Sequence, residues 1–359
     1  MLRRQEITTI LINVTVTKLV LTFPKILIET SGSAAWIQII YNIICAAAVF
    51  FLSLLLYKGH YTVIDLAEKA GGKILKIITG IIVFAVFMVN FASIIRVFPE
   101  TVKTVLLINF DTKVITIIFM AAIALGSAAG IEAIARVNYI FMPIIGGVMI
   151  FFLILLIPYY NIYNIFPIFG NGVNKIFIDG FNTISVYADV LLINIFMPYY
   201  ENRKEVAKSG RRLFAITAPF ITAVTLAYCL AYPYPVTKEF MLPFYQMARI
   251  IHIGNFYSRF ESIFQFAWSI LIFIYSAIYI FALCHVAAKT LNLKFYRPLI
   301  FPVVMISGVF ALLPATIGDI VRNEKWENIF IYITVFTLML VFGIISRVVL
   351  RKDKKNEAY

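Results

Sequence analysis

The feature that most constrains this chain is a succession of long apolar runs. A run of about 20 mostly apolar residues is long enough to cross the hydrocarbon core of a bilayer as a helix. The sequence contains ten such runs, roughly at 7–29, 35–57, 75–98, 113–132, 138–158, 178–200, 211–235, 261–288, 299–317 and 329–350. We therefore expect an all-α polytopic membrane protein, since no soluble domain fits between the runs.

Composition supports a bilayer, rather than water, as the solvent of this fold. Hydrophobic residues make up 62% of the 359 residues and charged residues 14%, against about 45–50% and about 25% in soluble domains. A water-soluble fold of this size does not bury so much apolar surface. The composition therefore excludes a soluble enzyme, a disordered chain and a disulfide scaffold.

The positive charge follows the pattern of a membrane protein. The formal net charge is +13, but the basic residues lie between apolar runs instead of on a soluble face, which argues against nucleic-acid binding. Lys and Arg concentrate at the N-terminus, in the loops 58–76, 201–212 and 289–297, and in the tail 351–359. Cytoplasmic loops carry such an excess, so the pattern predicts that both termini are cytoplasmic.

Ten runs divide naturally into two halves of five. We expect residues 1–359 to form a single membrane domain, with one repeat at about 7–158, a second at about 178–350 and a short basic tail at 351–359. Five-plus-five inverted repeats are common in secondary transporters, and their first helices are interrupted near the middle of the bilayer to bind substrate. The arrangement therefore predicts broken helices in the first and sixth runs.

Both of these runs contain a charged residue near their middle. In the first run, Lys18 precedes Pro24, which removes a backbone hydrogen bond and favours a break. A lone charge at that depth costs about 2.5–3.5 kcal/mol on insertion scales. In the sixth run, Gly180, Ser185 and Pro198 weaken the helix around Asp189. Two interpretations stay open: a Lys18–Asp189 pair beside a binding site, or a structural ion pair between two helices.

No enzyme or metal motif accompanies these charges. The sequence contains no G-x-S-x-G elbow, no Walker loop and no His-x-x-x-His pair. We therefore expect no catalytic residues, no cofactor and no metal site.

Four stretches resemble a known family. They are Ser33-Ala34-Ala35-Trp36-Ile37 after Pro24, Phe166–Gly172, Met197-Pro198-Tyr199 before a basic loop, and a run from Leu242 through Arg249, Ile253-Gly254, Arg259 and Glu261 to Trp268. Over essentially its whole length the chain resembles the GerAB-type spore germination permeases. These are the B subunits of nutrient germinant receptors, within the amino acid–polyamine–organocation superfamily.

The resemblance implies a fold and a biological setting. It implies a LeuT-like architecture of ten helices, of which the first and sixth are broken. It also implies a subunit of the spore inner membrane that senses small nutrients, often amino acids, and works with A and C subunits.

The resemblance also implies a ligand site between spans one, three, six and eight. By position, the ligand-binding residues are Val16, Thr17, Lys18, Leu19, Thr183, Ser185, Tyr187, Ala188 and Asp189. Gating or partner docking would involve Arg249, Arg259 and Glu261, for which the alternative is an ion-pair network at the outer rim.

Three functions share such a fold. The first is a receptor subunit in which ligand binding shifts a conformational equilibrium. The second is a secondary amino-acid transporter that couples to protons or ions through Asp189 or Lys18, and the third is a passive path for water or ions. The apolar runs alone favour the transporter, whereas the resemblance favours the receptor.

The pairing of Lys18 with Asp189 has a direct test. We expect Lys18→Met and Asp189→Asn each to disable ligand response or to destabilise the protein, because each leaves one buried charge uncompensated. The double variant should lose less than the sum of the two losses, measured by thermal unfolding and ligand binding. Fully additive losses would count against an interaction.

Overall fold

The chain is helical throughout the part that can be described. A computed structural model describes residues 2–21, 23–57, 61–240, 242–252, 260–313 and 317–356, and no strand occurs in these ranges. The α-helices, numbered in chain order, are α1 (Arg4–Leu21), α2 (Phe23–Ser31), α3 (Ala35–Leu56), α4 (Val63–Val105), α5 (Thr112–Ala128), α6 (Ile131–Leu155), α7 (Val173–Phe177), α8 (Ile193–Phe196), α9 (Arg203–Ala231), α10 (Tyr234–Thr237), α11 (Pro243–Arg249), α12 (Phe260–Thr290), α13 (Ile300–Leu312) and α14 (Ile317–Asn356).

Several of these helices are long and apolar enough to cross a membrane. Within the described residues, six stretches qualify: Phe23–Leu56, Val63–Val105, Ile131–Tyr159, Arg203–Ala231, Phe260–Thr290 and Ile329–Val349. A bent helix pair raises the number to seven if it counts as one span. The chain is therefore an integral, multi-pass membrane protein.

The bent pair lies where the sequence predicts a break in the sixth run. The stretches Val173–Ile184 and Tyr187–Tyr199 meet at an angle of 41°. Most of this region, Asp179–Leu192, is a 3₁₀-helix of 14 residues, although 3₁₀ hydrogen bonding rarely persists beyond a few residues. Irregular backbone survives at membrane depth only where protein or a cavity surrounds it. Tyr187 and Asp189, just after the bend, are indeed buried.

The first run is described on both sides of Thr22. Helix α1 ends at Leu21 and α2 begins at Phe23, and Thr22 between them lies outside the described residues. A helix boundary follows at Gly32, whose φ of +65° is a left-handed conformation that glycine adopts without steric cost. This turn separates α2 from α3.

The C-terminal helix corrects one sequence-based expectation. The spacing of the apolar runs assigns residues 318–328 to a loop and residues 351–359 to a tail. Helix α14 instead continues from Ile317 to Asn356, and no proline follows Pro314 to end it. Its 40 residues extend about 60 Å, twice the hydrocarbon thickness of about 30 Å. The polar residues before the tenth run therefore belong to the same helix as that run.

Helix α12 occupies the middle of the bundle. In its apolar window 78% of the residues are buried, against 22% in that of α6. It packs against α1, α4, α5, α6 and α13. Polar side chains on α12 are therefore enclosed by protein, whereas much of α6 faces outward.

The contact between α3 and α9 depends on one glycine. A Cβ atom added to Gly210 would lie 2.1 Å from Cε1 of Phe50, a ring that is only 2% exposed. We expect Gly210→Ala to lower the unfolding temperature, because overpacking costs about 1–3 kcal/mol. Gly147→Ala in α6, where nothing lies within 4 Å of the added atom, should be neutral or stabilising. Equal unfolding temperatures for both variants in detergent would contradict this packing.

Candidate functional site

Four polar side chains meet in the interior of the bundle. They are Lys18 of α1, Asn90 of α4, Asp189 of the 3₁₀ segment and Tyr279 of α12. We call these four residues the central polar group. Their elements correspond to runs one, three, six and eight, the spans between which the family resemblance implies a ligand site.

Asn90 joins the members of this group. Its Nδ2 donates to Oδ1 of Asp189 at 2.5 Å and to the hydroxyl of Tyr279 at 2.6 Å. Its Oδ1 accepts a hydrogen bond from Nζ of Lys18. The amide therefore uses its donor and its acceptor ends on opposite charges, and the side chain lies between the lysine and the carboxylate.

One of the two carboxylate oxygens of Asp189 is hydrogen-bonded to the described residues, and the other is not. Its side chain is fully buried, and its Oδ1 accepts hydrogen bonds from Asn90 and Tyr279. Its Oδ2 has no hydrogen-bond partner among the described residues. Lys18 attracts Asp189 electrostatically, but the structure joins the two through Asn90 rather than by a direct bond.

Aromatic rings enclose the group. The ring of Tyr275 stacks on Tyr279 with centroids 4.6 Å apart. Phe91 stacks on the same ring at 5.6 Å, and Phe87 meets it edge-on at 5.8 Å. Such surroundings strengthen each polar interaction and raise the cost of any unpaired charge.

Residues before Lys18 extend this arrangement along α1. The hydroxyl of Thr17 donates to Oδ1 of Asn13 at 2.9 Å, and Nδ2 of Asn13 donates to Oδ1 of Asn138 on α6 at 2.6 Å. The indole of Trp268 donates to the carbonyl of Thr17 at 3.4 Å. Thr17 is therefore engaged in helix contacts next to the central polar group.

Thr183 belongs to a separate polar cluster. Its hydroxyl accepts from Gln38 at 3.0 Å and from Asn42 at 2.5 Å, both on α3. It precedes Asp189 by six residues, which in a 3₁₀-helix is about 12 Å. The structure therefore does not bring Thr183 to the central polar group.

The remaining expected ligand residues differ in what the structure says of them. Val16, Tyr187 and Ala188 are buried, and the hydroxyl of Tyr187 has no partner among the described residues. Leu19 and Ser185 fall on residues whose side chains lie outside the described part of the chain.

The expected gating residues differ in their exposure. Arg249 is exposed at the C-terminal end of α11, whereas Glu261 is buried in the first turn of α12. Arg259 lies outside the described residues.

A small cavity lies toward the basic loops. It has a volume of about 20 Å³ and is lined partly by Thr62, Phe87, Asn194, His285 and Lys289. At its rim, Nζ of Lys289 bonds to Oδ2 of Asp65 at 2.6 Å and to the hydroxyl of Thr62 at 3.1 Å. Since Phe87 also touches Tyr279, this cavity lies next to the central polar group. Among the described residues, no cluster of His, Cys, Asp and Glu could hold a metal ion.

Comparison with known proteins decides the family. Residues 1–320 match the spore permease family, described as spore germination protein. The chain belongs to the spore germination permease family. The resemblance drawn from its sequence is thereby confirmed.

The fold is shared with a solved transporter. A Na⁺-coupled sialic acid symporter, solved in a substrate-bound outward-open state, superposes on this permease with a TM-score of 0.64. The alignment covers 94% of this chain and 78% of the symporter at 13% identity. A comparison with curated proteins finds no match. The symporter therefore shows a LeuT-like transporter fold and, at that identity, nothing about the ligand.

Two members of the central polar group were not expected from the sequence. From the sequence alone, Asn90 is interpreted as a helix-packing residue, because asparagine side chains often form hydrogen bonds between apolar helices. Tyr279 lies in an almost wholly apolar run and gives no separate signal. The opposing charges of Lys18 and Asp189, together with the family resemblance, point to the site in advance.

The bridging role of Asn90 predicts a particular loss. Asn90→Ala should destabilise the protein more than Asn42→Ala, although both side chains are buried. Hydrogen bonds to charged groups contribute about 1.5–3 kcal/mol and neutral ones about 0.5–1.5 kcal/mol. Chemical unfolding in mixed micelles measures the difference. A larger loss for Asn42→Ala would contradict the bridge.

Proposed function

We propose that this permease is the nutrient-sensing membrane subunit of a spore germination receptor. It binds a small ligand, most simply an amino acid, in a mid-membrane pocket at the central polar group. The observation that carries this proposal is a fully buried carboxylate, Asp189, whose Oδ2 has no partner among the described residues. Ionisable residues inside membrane proteins typically face the bundle interior and mark substrate or ion pathways.

The chemistry of the group suits an amino acid. The ammonium of Lys18 matches a ligand carboxylate, and the open oxygen of Asp189 matches a ligand ammonium. Val16, Thr17, Leu19, Ser185, Tyr187 and Ala188 would complete the walls of the pocket, whereas Thr183 lies in the separate cluster with Gln38 and Asn42. The bend between Ile184 and Tyr187 supports this proposal, because transporters of this fold bind substrate at interrupted helices.

Ten membrane crossings in two inverted halves of five fit this function. The six long helices and the bent pair provide seven crossings. The remaining three would be α1, which precedes the span Phe23–Leu56, and the shorter apolar helices Thr112–Ala128 and Arg297–Leu312. An even number of crossings would put both termini on one side, and the excess of Lys and Arg in the loops on that side supports the cytoplasm.

The family context suggests the partners. We propose that ligand binding shifts a conformational equilibrium and that the shift is transmitted to A and C subunits in the spore inner membrane. Arg249, exposed at the end of α11, is a candidate for docking, together with Arg259 and Glu261.

A second function has its own support. The fold shared with a coupled symporter favours a secondary amino-acid transporter that uses Asp189 or Lys18 for proton or ion coupling. The two functions differ in one property, which is net movement of the ligand across the membrane.

Liposomes that contain this chain alone separate the two. We expect a labelled mixture of the twenty amino acids to bind without being accumulated. Asp189→Asn should reduce binding at least about tenfold, because the open acceptor loses its charge. Asp179→Asn is the matched control, since Asp179 begins the same segment but is exposed and pairs with Lys175 at 2.5 Å.

If the wild type accumulates amino acids against a concentration gradient and Asp189→Asn abolishes this uptake, the protein is a transporter and not a receptor. Absence of both binding and uptake in a folded wild-type protein would overturn the amino-acid ligand. Thermal unfolding of each variant verifies that a loss of binding is not a loss of structure.

A further inference from the structure

The continuous helix α14 brings a second acid toward the ligand site. The sequence alone places Glu327 in an outer loop, but in the structure it lies on α14 and is half-buried. Its Oε2 accepts a hydrogen bond from the hydroxyl of Ser93 at 3.1 Å. Ser93 follows Asn90 by three residues on α4, so both lie on the same face of that helix. Glu327 therefore approaches the central polar group from one helical turn away.

Lys18 acts on both carboxylates. Its ammonium attracts Asp189 and also attracts Glu327. The next cation along α4 is Arg96, and it pairs with Glu100 at 2.6 Å. Among the described side chains, one lysine thus faces two acids. A buried acid without a matching cation is costly, so this arrangement favours a further positive charge at the site.

The open hydrogen-bonding positions of Asp189 and Glu327 are both acceptors. Oδ2 of Asp189 is an acceptor without a partner among the described residues, and the carboxylate of Glu327 retains acceptor capacity beyond its bond to Ser93. An ammonium group, with three donors, satisfies several such acceptors at once. Within the central polar group, Lys18 is the cation that a ligand carboxylate would meet.

We propose that Glu327 is a specificity-determining residue, which with Asp189 recognises the ammonium group of the ligand. The ligand class is then a primary amine or an amino acid bound chiefly through its ammonium end. This inference rests on the proposed function, because it concerns the same pocket, but it makes a separate claim about which end of the ligand is indispensable.

Two competitor mixtures test this claim on the full chain in lipid nanodiscs. The labelled probe is the equimolar mixture of the twenty amino acids. Amino-acid amides keep the ammonium and lack the carboxylate, whereas N-acetyl amino acids keep the carboxylate and lack the ammonium. For the wild type, we expect the amides to displace the label and the N-acetyl compounds to leave it bound.

Three variants separate charge recognition from helix packing. Glu327→Gln should raise the amide concentration needed for displacement about tenfold or more, since a bond to a charged acceptor is lost. Ser93→Ala removes the hydrogen bond to Glu327 but keeps its charge, so displacement should stay near the wild-type value. Glu327→Asp, which keeps the negative charge, should retain part of the amide affinity that Glu327→Gln loses.

Several results would overturn the inference. They are displacement by N-acetyl compounds as strong as by amides, unchanged displacement in Glu327→Gln, or the same loss in Ser93→Ala as in Glu327→Gln. In each of these cases labelled amino acids still bind, so the proposed function stands. If the wild type binds none of the labelled amino acids, the proposed ligand class fails and this inference fails with it.

Discussion

The structure depends on keeping charges inside an apolar bundle. Lys18 and Asp189 lie at depths where an isolated charge costs several kcal/mol, of the order of 2.5–3.5 kcal/mol each on insertion scales. Asn90 lowers that cost, because one amide donates to the acid and accepts from the base. The aromatic rings of Phe87, Phe91 and Tyr275, on α4 and α12, pack around Tyr279. Helix α12, which contributes Tyr279, is the most buried of the six long spans.

The irregular backbone belongs to the same constraint. A 3₁₀ segment of 14 residues with a bend of 41° would expose unpaired backbone groups to lipid if it lay at the surface. It is instead packed against α1, α3 and α14, and it presents Asp189 to the centre. The bent segment therefore carries Asp189 into a protein environment, where its carboxylate is fully buried.

The all-helical, multi-pass architecture could be predicted from apolar run length, because a bilayer imposes that length on a helix. The charges of Lys18 and Asp189 were identifiable because charge is rare in such runs. Asn90 and Tyr279 were not, since neutral polar residues also occur in ordinary helix packing. Glu327 was placed in a loop because polar residues near a run usually end it. Whether a helix continues through a polar stretch depends on whether a proline interrupts it, and a count of polar and apolar residues does not show this.

The most direct test of the account is a density map of the chain in nanodiscs with and without the twenty amino acids. The account predicts added density between α1 and the 3₁₀ segment, within hydrogen-bonding distance of Oδ2 of Asp189. The same map without amino acids should lack it. Ligand density confined to another place, such as the exposed end of α11 near Arg249, would contradict the central polar group as the ligand site.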